Sequence, residues 1–282
     1  IILMAVGLIF LIDLSRFLWI KNQIKNLFLY YQIAPHISGF MLIIFGSAFV
    51  ILGISNMNRS ILKRIVPEQV NQVPEIIYQQ KKLGKGPHIV VIGGGSGLHT
   101  LLRGLKQYTT NITAIVTVFD SGGSSGQLRD ELGVLPPGDI RNCLVALSTK
   151  EPLMTRLFQY RFKNGSLQGH SFGNLFITAM SEVSGDFSKA IEKSSEILAI
   201  RGKVLPSSID DVTLCARLKN KKIIKGEKNI SQSKGEIDSI FIQPSSVSPL
   251  PETIQAIQEA DAIILGPGSL YTSIICNLLV EN

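Results

Sequence analysis

Residues 88–108 read HIVVIGGGSGLHTLLRGLKQY, and the fold prediction starts from this stretch. The short β-branched run at 89–92 predicts a buried strand. After the glycines, leucines recur at the helical spacing 98, 101, 102 and 105, which predicts an amphipathic helix. A strand, a glycine loop and a helix in this order are typical of an α/β domain, in which ligands bind at the carboxyl ends of the strands.

The glycine loop predicts a phosphate site. The residues that leave their backbone N–H groups accessible there are Gly93, Gly94, Gly95, Ser96 and Gly97. At a helix N-terminus the unpaired donors and the helix macrodipole both favour an anion. The pattern is not the dinucleotide fingerprint, because Leu98 stands where the third glycine would fall, so NAD is disfavoured. A purely structural turn remains the alternative.

A second unit of the same kind lies at 261–280, DAIILGPGSLYTSIICNLLV. It predicts a strand over 262–265, a glycine loop and a helix. Gly266, Gly268 and Ser269 are its candidate phosphate ligands, and Ser269 could instead cap the helix. Two such units predict a pocket that several strand ends build together.

Residues 119–142, FDSGGSSGQLRDELGVLPPGDIRN, have the period of neither a helix nor a strand and predict a loop. A β-branched strand is predicted before it and a helix over 140–148 after it. Arg141 could pair bidentately with a phosphate. Asp120 and Asp139 could bind ribose or sugar hydroxyls, hold a magnesium ion, or only cap turns. The full candidate set in this stretch is Asp120, Gly123, Ser124, Ser125, Gly126, Asp139, Arg141 and Asn142.

A third element, QGHSFGNLFITAMSEVSGDFSKAI (168–191), predicts a helix with a buried apolar face. His170 precedes this helix and Asn174 lies in its first turn. His170 could contact a ligand, act as a catalytic base, cap the helix or be only a satisfied polar residue. Asn174 could contact a ligand or make only local hydrogen bonds. No nucleophile and base form a clear catalytic constellation, so no catalytic residue is assigned and a binding protein is favoured over a turnover enzyme.

The formal charge of +7 does not indicate nucleic-acid binding, because the basic excess lies in the first third. Residues 1–87 hold nine Lys and Arg against three Asp and Glu, a net of +6, which leaves +1 for residues 88–282. The basic cluster LKNKKIIKGEK (218–228) is interpreted as a solvated hairpin. Cys143, Cys215 and Cys276 form no CxxC pair, which predicts reduced core residues and no metal site.

The first third of the chain predicts a membrane anchor. Residues 39–54, GFMLIIFGSAFVILGI, carry no charge, and positions 37 and 38 extend them to about the 18 residues of a span. Residues 1–20 are a second candidate, with a cleaved signal peptide as the alternative. Basic residues after the second span place the rest in the cytoplasm by the positive-inside rule. We therefore expect a transmembrane hairpin at 1–58, a linker at 59–87 and membrane localisation.

Five motifs in order resemble the YvcK-like gluconeogenesis factor family, which is related to the 2-phospho-L-lactate transferase family, CofD. They are GGGSG (93–97), DSGGSSGQLR (120–129), PPGDIRNCLVALS (136–148), GNL (173–175) and GPGSLYTSI (266–274). The resemblance covers residues 88–282, which we predict to be a C-terminally incomplete nucleotide-binding domain. It implies a Rossmann-like α/β fold, with a parallel sheet and helices on both faces, that binds nucleoside diphosphates. Position 276 departs from the pattern, since cysteine stands where proline is expected.

The resemblance implies two alternative functions, and the strand–glycine loop–helix pattern leaves a third hypothesis, which conflicts with Leu98 at the fingerprint position. Soluble YvcK-like members are linked to UDP-sugar binding, cell shape and cell-wall control, so a membrane-anchored UDP-sugar-binding regulator is expected first. A CofD-type transfer of a phospholactyl group from a guanosine diphosphate donor to a deazaflavin is the second hypothesis, and an NAD-dependent oxidoreductase the third. Expected partners are a nucleotide diphosphate or nucleotide sugar and the membrane. No nucleic acid is expected, no cofactor beyond magnesium is considered, and a homo-oligomer is left open.

Overall fold

The computed structural model describes residues 35–65, 80–149 and 151–280, together with single positions at 18, 19, 22, 23, 26 and 78. The chain divides into two units, Ile1–Glu75 and Ile76–Asn282. Helix α1 (Pro35–Ile65) belongs to the first unit. Apart from positions 18 and 19, the first predicted span (1–20) lies outside the described residues, as does the part of the predicted linker over 66–77.

The predicted membrane localisation is wrong, and the predicted transmembrane hairpin is not supported. Among the described residues, no helix combines the length and the apolar character that crossing a bilayer requires. The charge-free apolar run of residues 39–54 in α1 would extend about 24 Å at about 1.5 Å per residue. That is less than the hydrocarbon core of about 30 Å. The polar residues Ser55, Asn56 and Asn58 follow the run.

A four-stranded parallel sheet organises the second unit, with the strand order β3-β2-β1-β7. Its strands are β1 (Ile89–Gly93), β2 (Ile112–Val116), β3 (Lys203–Pro206) and β7 (Ala262–Leu265). In register, Ile92 of β1 lies opposite Ile115 on one side and Leu265 on the other. Because the strands are parallel, the loops that follow β1, β2 and β7 all leave from the same edge of the sheet.

The helices of this unit are α2 (Gly95–Leu105), α3 (Gly123–Leu132), α4 (Gly138–Leu147), α5 (Glu151–Phe158), α6 (Phe172–Ser184), α7 (Phe187–Leu198), α8 (Glu227–Gln232) and α9 (Pro251–Gln258). On one face of the sheet, Val91 packs in the main core with Leu98 of α2 and Leu144 of α4. On the other face, Val90 and Ile92 pack against α9. Alternate strand positions therefore serve two helical layers, which confirms the predicted α/β fold with a parallel sheet flanked by helices.

A smaller antiparallel sheet, with the order β5-β4-β6, follows in the chain. It consists of β4 (Thr213–Leu218), β5 (Ile223–Lys225) and β6 (Ile237–Gln243). The β4–β5 pairing confirms the hairpin predicted for residues 218–228. Leu214 and Ile242 join the main core, so this sheet and the parallel sheet share one core.

Two local predictions are wrong. The segment 119–142 is not a continuous loop, because it contains helix α3. Gly122 caps the start of α3, and Gly133 ends it in the left-handed conformation at φ 65°. The segment after β7 does not form an α-helix: Leu270–Ile274 is a π-helical turn and Ile275–Leu279 a 3-10 helix. By contrast, Cys143, Cys215 and Cys276 are buried free thiols, as predicted.

Candidate functional site

The candidate site lies where the chain changes direction across the sheet. From β1 the chain proceeds outward on one side to β2 and β3, and it returns to the other side of β1 as β7. Such a switch point leaves a crevice at the carboxyl ends of the two central strands, where open α/β sheets bind ligands. The loops after β1 and β7, which sequence reasoning chose as phosphate loops, flank this crevice.

The loops after β1 and β7 touch each other through their backbones. A Cβ at Gly268 would lie 2.8 Å from the Ser273 Cβ and 3.1 Å from the Gly94 carbonyl oxygen. Gly95 has a φ of 66°, in the left-handed region that side chains disfavour. Glycine is therefore required at position 268 by the close approach of the two loops, and at position 95 by the backbone conformation. Together they bring the first turn of α2 next to the second loop.

Asp139, at the start of α4, occupies the N-terminus of α2. The Gly95 N–H donates to its Oδ2 at 2.5 Å, and the Thr117 hydroxyl donates to the same oxygen at 3.4 Å. Burial raises the pKa of Asp139 from 3.8 to about 6, and the negative charges of Asp120 and Glu227 act in the same direction. A carboxylate thus sits where a helix N-terminus attracts anions, which supports the predicted anion-binding character of this loop.

Asp120 and Glu227 lie near Asp139 and form an acidic cluster with it. The Gly122 N–H donates to Asp120 Oδ1 at 2.8 Å, so Asp120 makes a local turn contact while its charge reaches Asp139 and Glu227. Glu227 is the first residue of α8, and burial, followed by the charge of Asp120, raises its pKa. In the described part of the chain, no group of three or more His, Cys, Asp or Glu side chains is arranged to hold a metal ion.

A buried network of hydrogen bonds joins the starts of α3, α4 and α6, next to the loop after β2. Arg141 Nη1 donates to Ser171 Oγ (2.6 Å) and to Asn174 Oδ1 (2.8 Å), and its Nη2 donates to Asn142 Oδ1 (2.9 Å). Asn174 Nδ2 donates to Ser124 Oγ at 3.1 Å and to Ser125 Oγ at 3.3 Å. Both terminal nitrogens of the guanidinium are therefore engaged by protein. This geometry favours an organising role for Arg141 over the bidentate phosphate pairing that the sequence suggested.

His170 belongs to the same network. It is 8% exposed, and its Nδ1 lies 3.1 Å from Ser124 Oγ. The structure places Ser171, not His170, at the N-cap of α6, because Ser171 Oγ accepts from the Asn174 N–H. Of the roles left open for His170, capping is therefore excluded, and a hydrogen-bonded partner of Ser124 is what the fold provides.

The predicted site residues lie on the loops and helix starts at one edge of the sheet. The loops after β1 and β7 contribute Gly93, Gly94, Gly95, Ser96, Gly97, Gly266, Gly268 and Ser269. The loop after β2 and the starts of α3, α4 and α6 contribute Asp120, Gly123, Ser124, Ser125, Gly126, Asp139, Arg141, Asn142, His170 and Asn174. Ser269 is exposed and its side chain caps no helix, so the capping alternative for it is wrong.

Sequence reasoning missed three residues of the site. Thr117 directly follows β2 and has no motif of its own, so no local signal could have identified it. Ser171 stands directly before an apolar helical pattern, which is an N-cap signal. Glu227 follows Gly226 at the start of a six-residue helix. The Ser121 hydroxyl accepts from the Lys228 N–H at 3.2 Å, and this contact brings α8 to the loop after β2.

The site also bears on the NAD hypothesis. Leu98, at the position of the missing fingerprint glycine, is fully buried in the main core. The third glycine of a dinucleotide-binding turn allows close helix–strand packing, whereas here a leucine side chain fills that space. The structure thus gives no support to a dinucleotide site of that type.

Comparison with known proteins agrees with the motifs. Residues 89–282 match the family model of the 2-phospho-L-lactate transferase CofD. The Gluconeogenesis factor of Bacillus subtilis is 53% identical over 199 residues, which are 70% of this chain and 63% of that protein. A relative from Nostoc sp. (strain PCC 7120) is 49% identical over 285 residues, covering 100% of this chain and 62% of its own length. The chain therefore spans about six-tenths of the length of these relatives.

A solved structure shares the fold. The crystal structure of a member of the UPF0052 family from Bacillus halodurans superimposes with a TM-score of 0.68 at 50% sequence identity. The match covers 70% of this chain and 64% of that one. Sequence, family model and solved fold agree over the unit that carries the crevice, and this chain belongs to the CofD family, among homologues named gluconeogenesis factors.

Proposed function

We propose that the protein binds a nucleoside diphosphate sugar of the UDP-sugar type in the crevice between β1 and β7, and that it acts as a regulator of cell-wall synthesis and cell shape. One observation carries the proposal: two strand–glycine loop units lie on adjacent parallel strands, and their loops touch each other. A diphosphate presents two anionic groups a few ångströms apart, which suits two neighbouring loops better than one.

The polar surroundings supply contacts for the rest of such a ligand. The Thr117 hydroxyl after β2 and the Asp139 carboxylate at the start of α4 can hydrogen-bond to ribose or sugar hydroxyls. The Gly95 N–H is engaged by Asp139, so a phosphate at that loop would compete with this carboxylate. The proposed mode of binding therefore includes a displacement of Asp139 from the α2 N-terminus.

A regulatory binding protein is preferred to a hydrolase because the Ser124–His170 pair does not form a nucleophile and base. Ser124 is 5% exposed, and its oxygen already accepts from Asn174. In a catalytic triad a carboxylate holds the second ring nitrogen of the histidine. Among the described residues, His170 has no such carboxylate partner.

The test is isothermal calorimetry of the chain with UDP-glucose and UDP-N-acetylglucosamine, with thermal shift as a second readout. NAD⁺ serves as the control nucleotide, and we expect heat with at least one UDP-sugar and none with NAD⁺. Absence of heat and of a melting shift with every uridine nucleotide would refute the proposal.

A second candidate function is the transfer of a phospholactyl group from a guanosine diphosphate donor to a deazaflavin alcohol. The name of the matching family model and the carboxylates of Asp120 and Asp139 at one crevice favour it. Incubation with donor, acceptor and magnesium, followed by mass spectrometry, tests it. A product that requires both substrates would establish transferase activity, and its absence in the presence of magnesium would remove this candidate.

A further inference from the structure

A continuous chain of hydrogen bonds runs from α4 to the loop before α6. It passes from Arg141 Nη1 to Asn174 Oδ1 (2.8 Å), from Asn174 Nδ2 to Ser124 Oγ (3.1 Å), and on to His170 Nδ1 (3.1 Å). All four residues are less than one-tenth exposed. Buried polar groups are rarely left without partners, so the direction of each bond in this chain can be worked out.

The direction is set at the arginine end. A guanidinium carries only donors, so the Asn174 atom that faces Arg141 must be the carbonyl oxygen. The amide nitrogen then faces Ser124, and the Ser124 oxygen must accept from it. The chemistry of its neighbours therefore determines the orientation of the Asn174 amide.

The hydroxyl proton of Ser124 is then directed to His170. Within residues 80–149 and 151–280, no acceptor other than His170 Nδ1 reaches the Ser124 hydroxyl. A buried hydroxyl proton without an acceptor is costly, so Ser124 donates to Nδ1. A neutral imidazole with an accepting Nδ1 carries its proton on Nε2. Nε2 bonds to no described residue, and it is not among the buried side-chain atoms left without a partner, so it keeps access to solvent.

We propose that the hydrogen-bond chain Arg141–Asn174–Ser124–His170, called the relay below, holds His170 as the tautomer protonated on Nε2, with Arg141 and Asn174 as positioning residues. This Nε2–H then donates to an oxygen of the bound nucleotide sugar. The ligand half of this inference rests on the proposed function, whereas the tautomer half does not.

The relay can be reversed by one isosteric change. Aspartate at position 174 has two acceptor oxygens, so in Asn174→Asp the Ser124 proton would turn to the new carboxylate. Ser124 could then only accept from His170, and the ring proton would move to Nδ1. Asn220→Asp is the matched control: it makes the same change of amide to acid in the exposed β4–β5 turn, where Asn220 Oδ1 only accepts from the Lys222 N–H.

The measurement is the ¹⁵N spectrum of the histidine side chains, assigned by loss of the His170 signals in His170→Gln. It is recorded at about pH 8.5, two units above the reference histidine pKa of about 6.5. We expect Nε2–H in the wild type and in Asn220→Asp, and Nδ1–H in Asn174→Asp. A wild type with Nδ1–H, or an Asn174→Asp chain that keeps Nε2–H, would overturn the relay.

Calorimetry with the UDP-sugar that the wild type binds best tests the ligand half. Asn174→Asp should weaken binding at least about tenfold, the equivalent of one hydrogen bond to a charged group, and Asn220→Asp should not. A switched tautomer with unchanged affinity would overturn the donor role of His170 and leave the relay standing. If the wild type binds no UDP-sugar, the proposed function and the donor role both fail, and the tautomer result still decides the relay.

A second variant keeps the relay testable if Asn174→Asp does not fold. Ser124→Ala removes the donor to Nδ1, so the Nδ1 resonance should shift and both tautomers should appear. An Nδ1 resonance identical to that of the wild type would show that Ser124 does not hold His170, which overturns the relay.

Discussion

Replacing Gly95 by alanine tests whether the first glycine loop binds a ligand or only forms a turn. Gly95 has a φ of 66°, and a Cβ there would lie 3.5 Å from Ser273 Oγ, an ordinary contact. The cost to the fold is therefore mainly the left-handed conformation, about 1–2 kcal/mol. For a unit of this size that lowers the melting temperature by about 2–8 °C.

The expected effect on binding is larger than the effect on stability. The new methyl group lies at the start of α2, where we propose that the diphosphate contacts the backbone. Losing one charge-assisted hydrogen bond costs about 1.5–3 kcal/mol, which corresponds to an affinity about ten- to a hundredfold weaker. Calorimetry with a UDP-sugar measures this, and differential scanning calorimetry measures the melting temperature.

Gly133→Ala is the matched control. Gly133 ends α3 with a φ of 65°, and a Cβ there would meet nothing within 4 Å. The backbone strain is thus the same, while the position lies at the opposite end of α3 from the site. We expect equal losses of stability in the two variants and a loss of affinity only in Gly95→Ala. Wild-type affinity in Gly95→Ala would refute the assignment of this loop to the ligand.

Three further predictions concern the core and the buried acid. Asp139→Asn should raise the free energy of unfolding at neutral pH by up to about 3 kcal/mol, since the pKa of Asp139 rises from 3.8 to about 6 on folding. The stability that protonated Asp139 provides is complete below about pH 3.8 and is lost as the pH rises through about 6. Denaturant melts should therefore show the free energy of unfolding of the variant rising relative to that of the wild type across this pH range. Parallel pH profiles of the two proteins would contradict this. Leu98→Ala empties a fully buried position and should cost about 2–5 kcal/mol while leaving UDP-sugar affinity within about twofold; a large loss of affinity at unchanged stability would mean that Leu98 contributes to the site. Gly173→Ala places a Cβ 2.6 Å from Arg141 Cδ and 2.8 Å from the Phe158 carbonyl oxygen, so chemical denaturation should show a loss of about 1–3 kcal/mol; wild-type stability would show that the neighbours move apart freely.

The fold could be predicted to the extent that local patterns determine it. The continuous apolar runs before Gly93 and Gly266 are typical of parallel strands, and the leucines of α2 recur at the helical period. Helix α3 could not be predicted in this way. Glycines and serines fill its first turn and carry little helical preference, and the helix is held in part by Arg129, which donates to Asp211 and to the Val212 carbonyl oxygen on a distant loop.

The candidate site, too, could be predicted only in part from the sequence. Sequence by itself determined which residues have the chemistry to meet an anion, because glycine loops at strand ends and helix starts are encoded within a few residues. Only the tertiary structure decided that β7 lies beside β1, that Asp139 accepts from the Gly95 N–H, and that Arg141 donates to Asn174. These pairs are separated by 33 to 173 residues. No dihedral preference or period extends that far along a chain, so such contacts follow from the crossover connections and from the need to pair every buried polar group.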